Sequence, residues 1–460
     1  MCVAFDEMRP GLRCLAPPAG RFERFGPGRI RVKSTADTVG KETPLSEYYK
    51  TYTCPQAKDC GGCEWLAVPY EIQLERKQEA LKELFEPLGV EPEPIVGMDE
   101  PVAYRAKSMT PFQPGQKGKL VHGMYKPGTH KLIACPSCLV EDPQARPIFD
   151  SIAKLAREFK LKAYDEDRGS GLLRHAIIRC AANTDEVMVT LVCNSKEFPH
   201  KKEFVRALRA EHPEISTVVF NVNTRNTNAV LGNRDSVAYG QGWIEDKLCG
   251  QTFRIPSSAF YQTNPKQTEV LYNTAVELAA LQGGESVLDA YCGIGTIGIV
   301  AANRSIEQQR AGTAPVHKKK AAKAAAKAKK KGKEVQPKPV ELTGVEMTPS
   351  AVEIASENAR INNVKRAQFV QGDAGEYLHS CSRHFDVVLM DPPRAGASEE
   401  FIEGLLAASP KRVVYISCNP ETQVRDIQMM EDAYTLKRII PVDMFPHTKH
   451  AETVALLVRK

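Results

Sequence analysis

In "KRVVYISCNPETQVRDI", residues Lys411 to Ile427, an apolar run ends at Cys418 and an Asn-Pro turn follows. A thiol at the end of a strand can act on a ligand, and its thiolate is both a strong nucleophile near neutral pH and an expellable leaving group. Four acids stand in similar places. Asp289 lies in "ESVLDAYCGIGTIG", Glu346 in "ELTGVEMTPS", Asp373 in "FVQGDAGEYL" and Asp391 in "FDVVLMDPPRAG", each beside an apolar run. Singly, each reads as a loop cap or a solvated turn. Together with Cys418 they fall on successive strand ends, which open α/β sheets gather on one ligand-binding rim.

A second constellation lies upstream, in "TCPQAKDCGGCEWL". Cys54, Cys60 and Cys63 fall within ten residues, with Gly61 and Gly62 free to fold the backbone round an ion. A fourth ligand must come from afar, and Cys135 and Cys138 in "IACPSCLV" both offer one. Zinc favours a closed set of four, and iron–sulfur clusters take three near cysteines plus a remote one, so spacing leaves both open.

The elements that must position these groups follow from pattern. With 460 residues and 42% hydrophobic content, the chain is long enough for two or three domains with their own cores. It has no stretch long and apolar enough for a signal peptide or a membrane helix, so a soluble cytoplasmic protein is expected, and its 13 cysteines are expected to stay reduced. Residues 1–50 read as a basic arm or small β element. Residues 51–250 read as a cysteine-bearing α+β region, starting with an amphipathic helix in "YEIQLERKQEALKELFEPLG" marked by Leu74, Leu81, Leu84, Phe85 and Leu88 and ended by Gly89. Strands are expected in "HAIIRCAA", "EVMVTLVC" and "STVVFNVN", and a helix in "PIFDSIAKLAREF". Residues 251–460 alternate strand and helix, the pattern of a doubly wound parallel sheet.

Within that last region, "LDAYCGIGTIG" is a strand, a glycine turn and a small-residue helix. Adenosyl and dinucleotide sites pair such a turn with an acid about 20 residues on, at the end of the next strand. Glu346 fills that place once residues 304–340 are set aside. That piece encloses "KKKAAKAAAKAKKKGK", Lys318 to Lys333, whose nine lysines carry more than the whole net charge of +6. It reads as an insertion in the crossover, a solvated loop or an arm for phosphates. Thr348 and Asn264 are expected to cap helices begun by Pro349 and Pro265.

The ordered motifs "SAFYQTNPKQ", "LDAYCGIGTIG", "GVEMTPSAVEIASENA", "DPPRAG", "YISCNPETQVRDI" and "PVDMFPHTKHAETVALL" resemble the RNA uracil-C5 methyltransferases. The likeness is close over the C-terminal half and looser upstream, where it rests on the cysteine spacing, "YRAKSMT" and "GLLRHAIIR". It implies a C-terminal Rossmann-like S-adenosylmethionine domain behind an α+β RNA-binding domain with an iron–sulfur cluster. Cys418 would attack uracil C6, and Glu452 in "HTKHAETV" would remove the C5 proton. The resemblance assigns cofactor contacts to Gln262, Tyr291, Thr296, Glu346, Asp373 and Asp391, stacking on the uracil to Phe260, and a packing role to Cys292. It turns the metal reading toward a 4Fe-4S cluster on Cys54, Cys60, Cys63 and Cys135, with Cys138 spare. Tyr104, Arg105, Lys107, Arg174 and His175 match positions near the family's RNA-facing surface. Residues 1–50 are too short and proline-rich for the small β-barrel that many members carry, which leaves ribosomal and transfer RNA open, with ribosomal RNA preferred; a monomer is favoured. Two other readings remain: "DPP" also resembles the amino-group methyltransferases, and the chain could be a non-catalytic, metal-stapled RNA-binding protein.

Overall fold

The computed structural model describes residues 21–24, 30–33, 50–115, 120–226, 229–313 and 336–460. The lysine run and most of the basic arm lie outside the described residues. Within the arm, β1 (Arg21–Arg24) and β2 (Ile30–Lys33) pair antiparallel.

The upstream sheet is built from β3 (Lys107–Pro114), β4 (Leu120–Tyr125), β5 (Leu132–Ala134), β6 (Leu173–Cys180), β7 (Val187–Cys193), β8 (Ile215–Val222) and β9 (Arg234–Tyr239). Its order is β5-β4-β3-β6-β7-β8-β9, and only the β7–β8 pair, joined through the helix Lys201–Glu211, is parallel. The strands at its centre are apolar on both faces because both are covered. One face packs Ile178, Val189, Leu191 and Phe220 on helices Ala145–Glu158 and Lys201–Glu211, through Ile148, Phe149, Ile152 and Phe204. The other sends Met188 and Val219 into the core of the C-terminal half. The hairpin β10 (Trp243–Leu248) and β11 (Gln251–Pro256) joins that same core through Ile244, Leu248, Phe253 and Ile255. A boundary at residue 250 therefore falls on the hairpin's turn.

The second sheet contains β12 (Ser286–Ala290), β13 (Glu341–Glu346), β14 (Ala367–Gln371), β15 (Val387–Met390), β16 (Arg412–Ser417), β17 (Tyr434–Val442) and β18 (Glu452–Arg459), in the order β14-β13-β12-β15-β16-β18-β17. β14 to β16 are mutually parallel, and β18 enters antiparallel to both neighbours. The expected doubly wound sheet is present, with its switch point between β12 and β15. The helix after β12 runs Thr296–Ala311, so residues 304–311 belong to the crossover helix and not to an insertion. Gln309 fastens the return of the chain by accepting from the Lys338 N–H at 2.9 Å and donating to its carbonyl at 3.0 Å. Among the described residues no helix is long and apolar enough to cross a membrane.

Helix Tyr70–Phe85 forms where the leucine pattern predicts it, and Gly89 ends the following turn at φ 67°. Its buried stripe, however, is Tyr70, Gln73, Lys77, Leu81 and Phe85. Leu81 and Phe85 enter the core beneath β15 and β16, so this helix packs on the C-terminal half. Lys77 Nζ donates to Asp443 Oδ1 at 2.6 Å, with both side chains inaccessible to solvent, and Tyr70 donates to the other oxygen at 2.7 Å. The chain then runs beside β17, where the Glu93 and Val96 N–H groups bond Ile439 and Pro441, covering an edge that would otherwise be open.

Removing one member of a buried ion pair leaves the other charge stranded. Lys77→Met is expected to lower stability by about 3 kcal/mol, and Lys77→Met with Asp443→Leu to recover most of that, as read by urea unfolding followed by circular dichroism.

Candidate active site and cysteine cluster

The candidate rim is set by strand register. β16 pairs with β18 so that Ser417 faces Thr453, which puts the next residue of one strand, Cys418, opposite the first of the other, Glu452. Cys418 begins a tight turn in which Ser417 Oγ donates to the Asn419 carbonyl and accepts from its N–H. Pro420 then starts helix Pro420–Met430. Gln423 ties this helix to both strands, donating to the Tyr415 carbonyl at 2.9 Å and accepting from Thr453 Oγ1 at 2.7 Å.

Two further groups, Asp391 and Arg394, complete the rim. Burial holds the Glu452 carboxyl up at about 8, raised further by Asp391 and lowered by Arg394. Asp391, at the end of β15, is pushed up to about 7 by burial. Cys418 is raised to about 11 by burial and by the charges of Glu452 and Asp391, and Arg394 opposes this through its charge and a hydrogen bond to the sulfur. Arg394 is held from behind, since its carbonyl accepts from Asn419 Nδ2 at 3.0 Å and from Thr422 Oγ1. It sits in the "DPPRAG" motif yet was given no role from sequence; a cation directly after two prolines at a strand end was the available signal.

The glycine turn is shaped to receive a ligand. Tyr291 holds φ 62°, a strained value for a bulky residue and one that recurs at binding sites. Glu346 is aimed by two backbone donors, Gly293 N–H at 3.2 Å and Thr348 N–H at 2.8 Å. A Cβ at Gly293 would meet no atom within 4 Å, so the turn faces open space. Helix Thr296–Ala311 begins there with no cap from its N-cap residue and with Asp289 taking only the Gly298 N–H, which leaves the Thr296 and Ile297 N–H groups for a ligand.

The other expected contacts divide. Asp373 accepts from the Gly375 and Glu376 N–H groups through Oδ1 and so caps the next helix from the rim. Thr296 is directed at the Tyr272 hydroxyl, 3.1 Å away. Asp289 is fully buried and accepts from the Gly298 N–H at 2.9 Å, pinning helix to strand, so it leaves the set of converging acids. Cys292 is buried beside Gly344. Gln262 is buried in the loop before helix Pro265–Ala279, and Phe260 in the same loop is 70% exposed. Asn264 caps that helix as expected, whereas Thr348 makes no side-chain cap bond.

Two of the residues placed near an RNA surface are interior braces. Tyr104 donates to the Pro446 carbonyl at 3.0 Å. Arg174 is buried against the Tyr164 ring and bonded to Glu166 and to the carbonyls of Asn223 and Arg225.

The five upstream cysteines are free. The charges of Cys138 and Cys54 both act on Cys60 and on Cys63, whose thiol burial pushes to about 12. Cys138 is drawn down to about 5 by hydrogen bonds from Cys135 and from the Val140 and Glu141 N–H groups. Arg146, paired with Glu141 at 2.6 and 2.8 Å, is buried beside them and leaves Nη1 without a partner. Among the described residues no three side chains converge closely enough to ligate a metal ion.

Comparison with known proteins gives the family. Residues 69–460 match the tRNA (uracil-5-)-methyltransferase family. A protein named as an RNA methyltransferase in Halalkalibacterium halodurans is 35% identical over 98% of this chain and 91% of its own, and one in Staphylococcus aureus is 37% identical over 88% and 83%. The crystal structure of Pyrococcus abyssi tRNA (uracil-54, C5)-methyltransferase in complex with S-adenosyl-L-homocysteine superposes with a TM-score of 0.68, at 26% identity over 95% of this chain and 92% of that one. A thiol and a buried carboxyl facing each other across an antiparallel strand pair, beside an open glycine turn, thus belong to a member of the tRNA (uracil-5-)-methyltransferase family, the RNA uracil-C5 methyltransferases.

Proposed function

We propose that the chain methylates C5 of a uridine in RNA, with Cys418 as nucleophile and Glu452 as base. The observation that carries this reading is the pairing of Cys418 with Glu452, under Arg394 and Asp391, at the sheet's ligand-binding rim. Uracil C5 is a poor nucleophile. The Cys418 thiol first ionises, its proton passing to water, with Arg394 favouring the ionised sulfur; attack of the thiolate at C6 then makes C5 enolate-like. After C5 has been methylated, the Glu452 carboxylate takes the C5 proton, the C5–C6 double bond re-forms and the thiolate leaves. S-adenosylmethionine, when bound, supplies the methyl group. The open turn at Gly293, the free helix N–H groups and the aimed carboxylate of Glu346 fit it, with Gln262, Tyr291, Thr296, Asp373 and Asp391 around them. This chemistry displaces the amino-group and scaffold readings, because neither uses a thiol facing a base.

The target ring must leave its stack before thiol and donor can reach it, which single-stranded RNA allows most cheaply. The exposed Phe260, beside Gln262, supports a stacking role there. Ribosomal RNA is the preferred substrate by analogy with cluster-bearing members of the family, and transfer RNA is the alternative.

We also propose, from the family resemblance, a 4Fe-4S cluster as a staple of the upstream segment, on Cys54, Cys60, Cys63 and, in place of Cys135, Cys138. The choice of Cys138 over Cys135 rests on the Cys138 charge acting on both Cys60 and Cys63, whereas the Cys135 thiol donates to the Ser137 carbonyl at 3.3 Å. The unpartnered Arg146 Nη1 is a donor suited to a negatively charged thiolate cluster.

RNA containing 5-fluorouridine gives C5 no proton to lose, so it should stay joined to Cys418; sequencing the captured strand names the RNA. Cys418→Ala should abolish capture and methylation while S-adenosylmethionine affinity, by calorimetry, changes less than about twofold. A variant that still methylates would reject the mechanism. The base requires an ionised Glu452, so single-turnover rates should climb with pH on the acid side and level off below about 8, the value burial gives the free site, because the bound methyl donor favours the carboxylate. Glu452→Gln should lose at least about 100-fold, having no base to ionise. Prepared anaerobically, the wild type and Cys135→Ser should be brown with iron and sulfide bound, and Cys138→Ser largely colourless.

A further inference from the structure

Lys107 and Arg179 are direct partners across β3 and β6, and Arg179 is in turn opposite Met188 of β7. Met188 belongs to the core of the C-terminal half, so this row of side chains looks toward that half and away from the upstream helices. Two like charges facing each other on one sheet repel, and the cost rises with burial. Arg179 is 3% exposed and Lys107 is half-buried. The acid that bears on Arg179 is Asp246, already held by the Ala182, Asn183 and Lys247 N–H groups; Lys107 feels burial and the Arg179 charge.

The loop carrying Phe260 and Gln262 lies across this pair. Arg179 Nη2 donates to the Ala259 carbonyl at 3.0 Å, and the Ala106 N–H donates to the Thr263 carbonyl at 2.8 Å. Tyr261, whose ring centroid is 5.9 Å from the Arg179 guanidinium carbon, is buried with its hydroxyl unpartnered. Two cations, with Asp246 the one acid acting on Arg179, and a free hydroxyl are thus gathered beneath the loop that presents the exposed Phe260. Nothing in the fold explains keeping both charges there, because an apolar side chain at position 107 would relieve the repulsion.

We propose that Lys107 and Arg179 form a binding site for one backbone phosphate of the RNA strand, next to the uridine turned out under Phe260; this rests on the functional reading above. A phosphate is the anion such a substrate brings, and its oxygens accept from an ammonium, a guanidinium and a phenol together. Held there, it fixes the register of the strand relative to Cys418 without reading sequence.

The test uses the full-length chain and a fluorescein-labelled single-stranded oligouridine, titrated over a series of KCl concentrations. Lys107→Met is expected to bind roughly tenfold more weakly and to flatten the slope of log affinity against log salt by about 0.7, the value for one single-strand phosphate. Lys107→Arg should keep both the affinity and the slope. The RNA-free Lys107→Met chain should also melt higher than wild type, since a facing like charge has gone. Unchanged affinity and slope in Lys107→Met, or a lower melting temperature, would overturn the proposal. Capture of 5-fluorouridine RNA by the wild type, run in parallel, tests the parent reading separately: capture combined with unaffected Lys107→Met binding rejects the phosphate site alone.

Discussion

The reversed strand β18 is the constraint on which the proposed catalytic arrangement depends. In a wholly parallel sheet, consecutive strands would all end on the rim, and none would begin there. Because β18 runs against β16, its first residue arrives where β16 finishes, and Glu452 meets Cys418 through backbone register. Register is a strong device for such positioning, since a slip of one residue would turn Glu452 to the opposite face and expose the apolar residues that follow it. Gln423 and Thr453 reinforce the same alignment from the helix side.

The segment between β17 and β18 must deliver β18 at that register, and the upstream region braces it. Gln73 accepts from the His447 N–H at 2.8 Å, and its amide nitrogen lies 3.2 Å from His447 Nδ1; the other ring nitrogen faces the Pro101 carbonyl. Lys77, Tyr70 and Tyr104 hold Asp443 and the carbonyls of Phe445 and Pro446. The Trp65 N–H, two residues after Cys63, bonds the His447 carbonyl at 3.0 Å. A stapled cysteine segment would therefore act on catalysis by fixing the approach to Glu452, with no need for electron transfer.

Much of this was legible in the chain. The strand–turn–helix pattern from Asp289 onward, the thiol at Cys418 and the ordered motifs led to the sheet and the rim, because parallel strands buried on both faces read as plain apolar runs. What escaped has a common physical cause: polar side chains doing interior work. Gln73 and Lys77 sit on the buried face of a helix whose leucines mark a neighbouring stripe, so amphipathicity located the helix and misjudged its face. Asp289 looked like a ligand-facing acid and is a helix anchor; Arg174 and Tyr104 looked like surface contacts and are braces. Their partners lie far off in sequence, and a backbone carbonyl, the commonest partner, leaves no mark on residue type.

The free site is also electrostatically incomplete. Asp391 and Glu452 stand at about 7 and about 8 because water has been removed from around them, with Arg394 as the nearby cation. A carboxyl raised in this way keeps a proton in the fold that the unfolded chain gives up near pH 4, so its contribution to stability is full below that pH and is lost as the pH rises toward 8. The fold thus tolerates these acids in their neutral form, while the proposed chemistry needs at least Glu452 ionised. A positively charged methyl donor beside Asp391 would shift both toward the carboxylate, so that ionisation of the base follows assembly of the complex and the isolated protein is spared two unpaired buried charges.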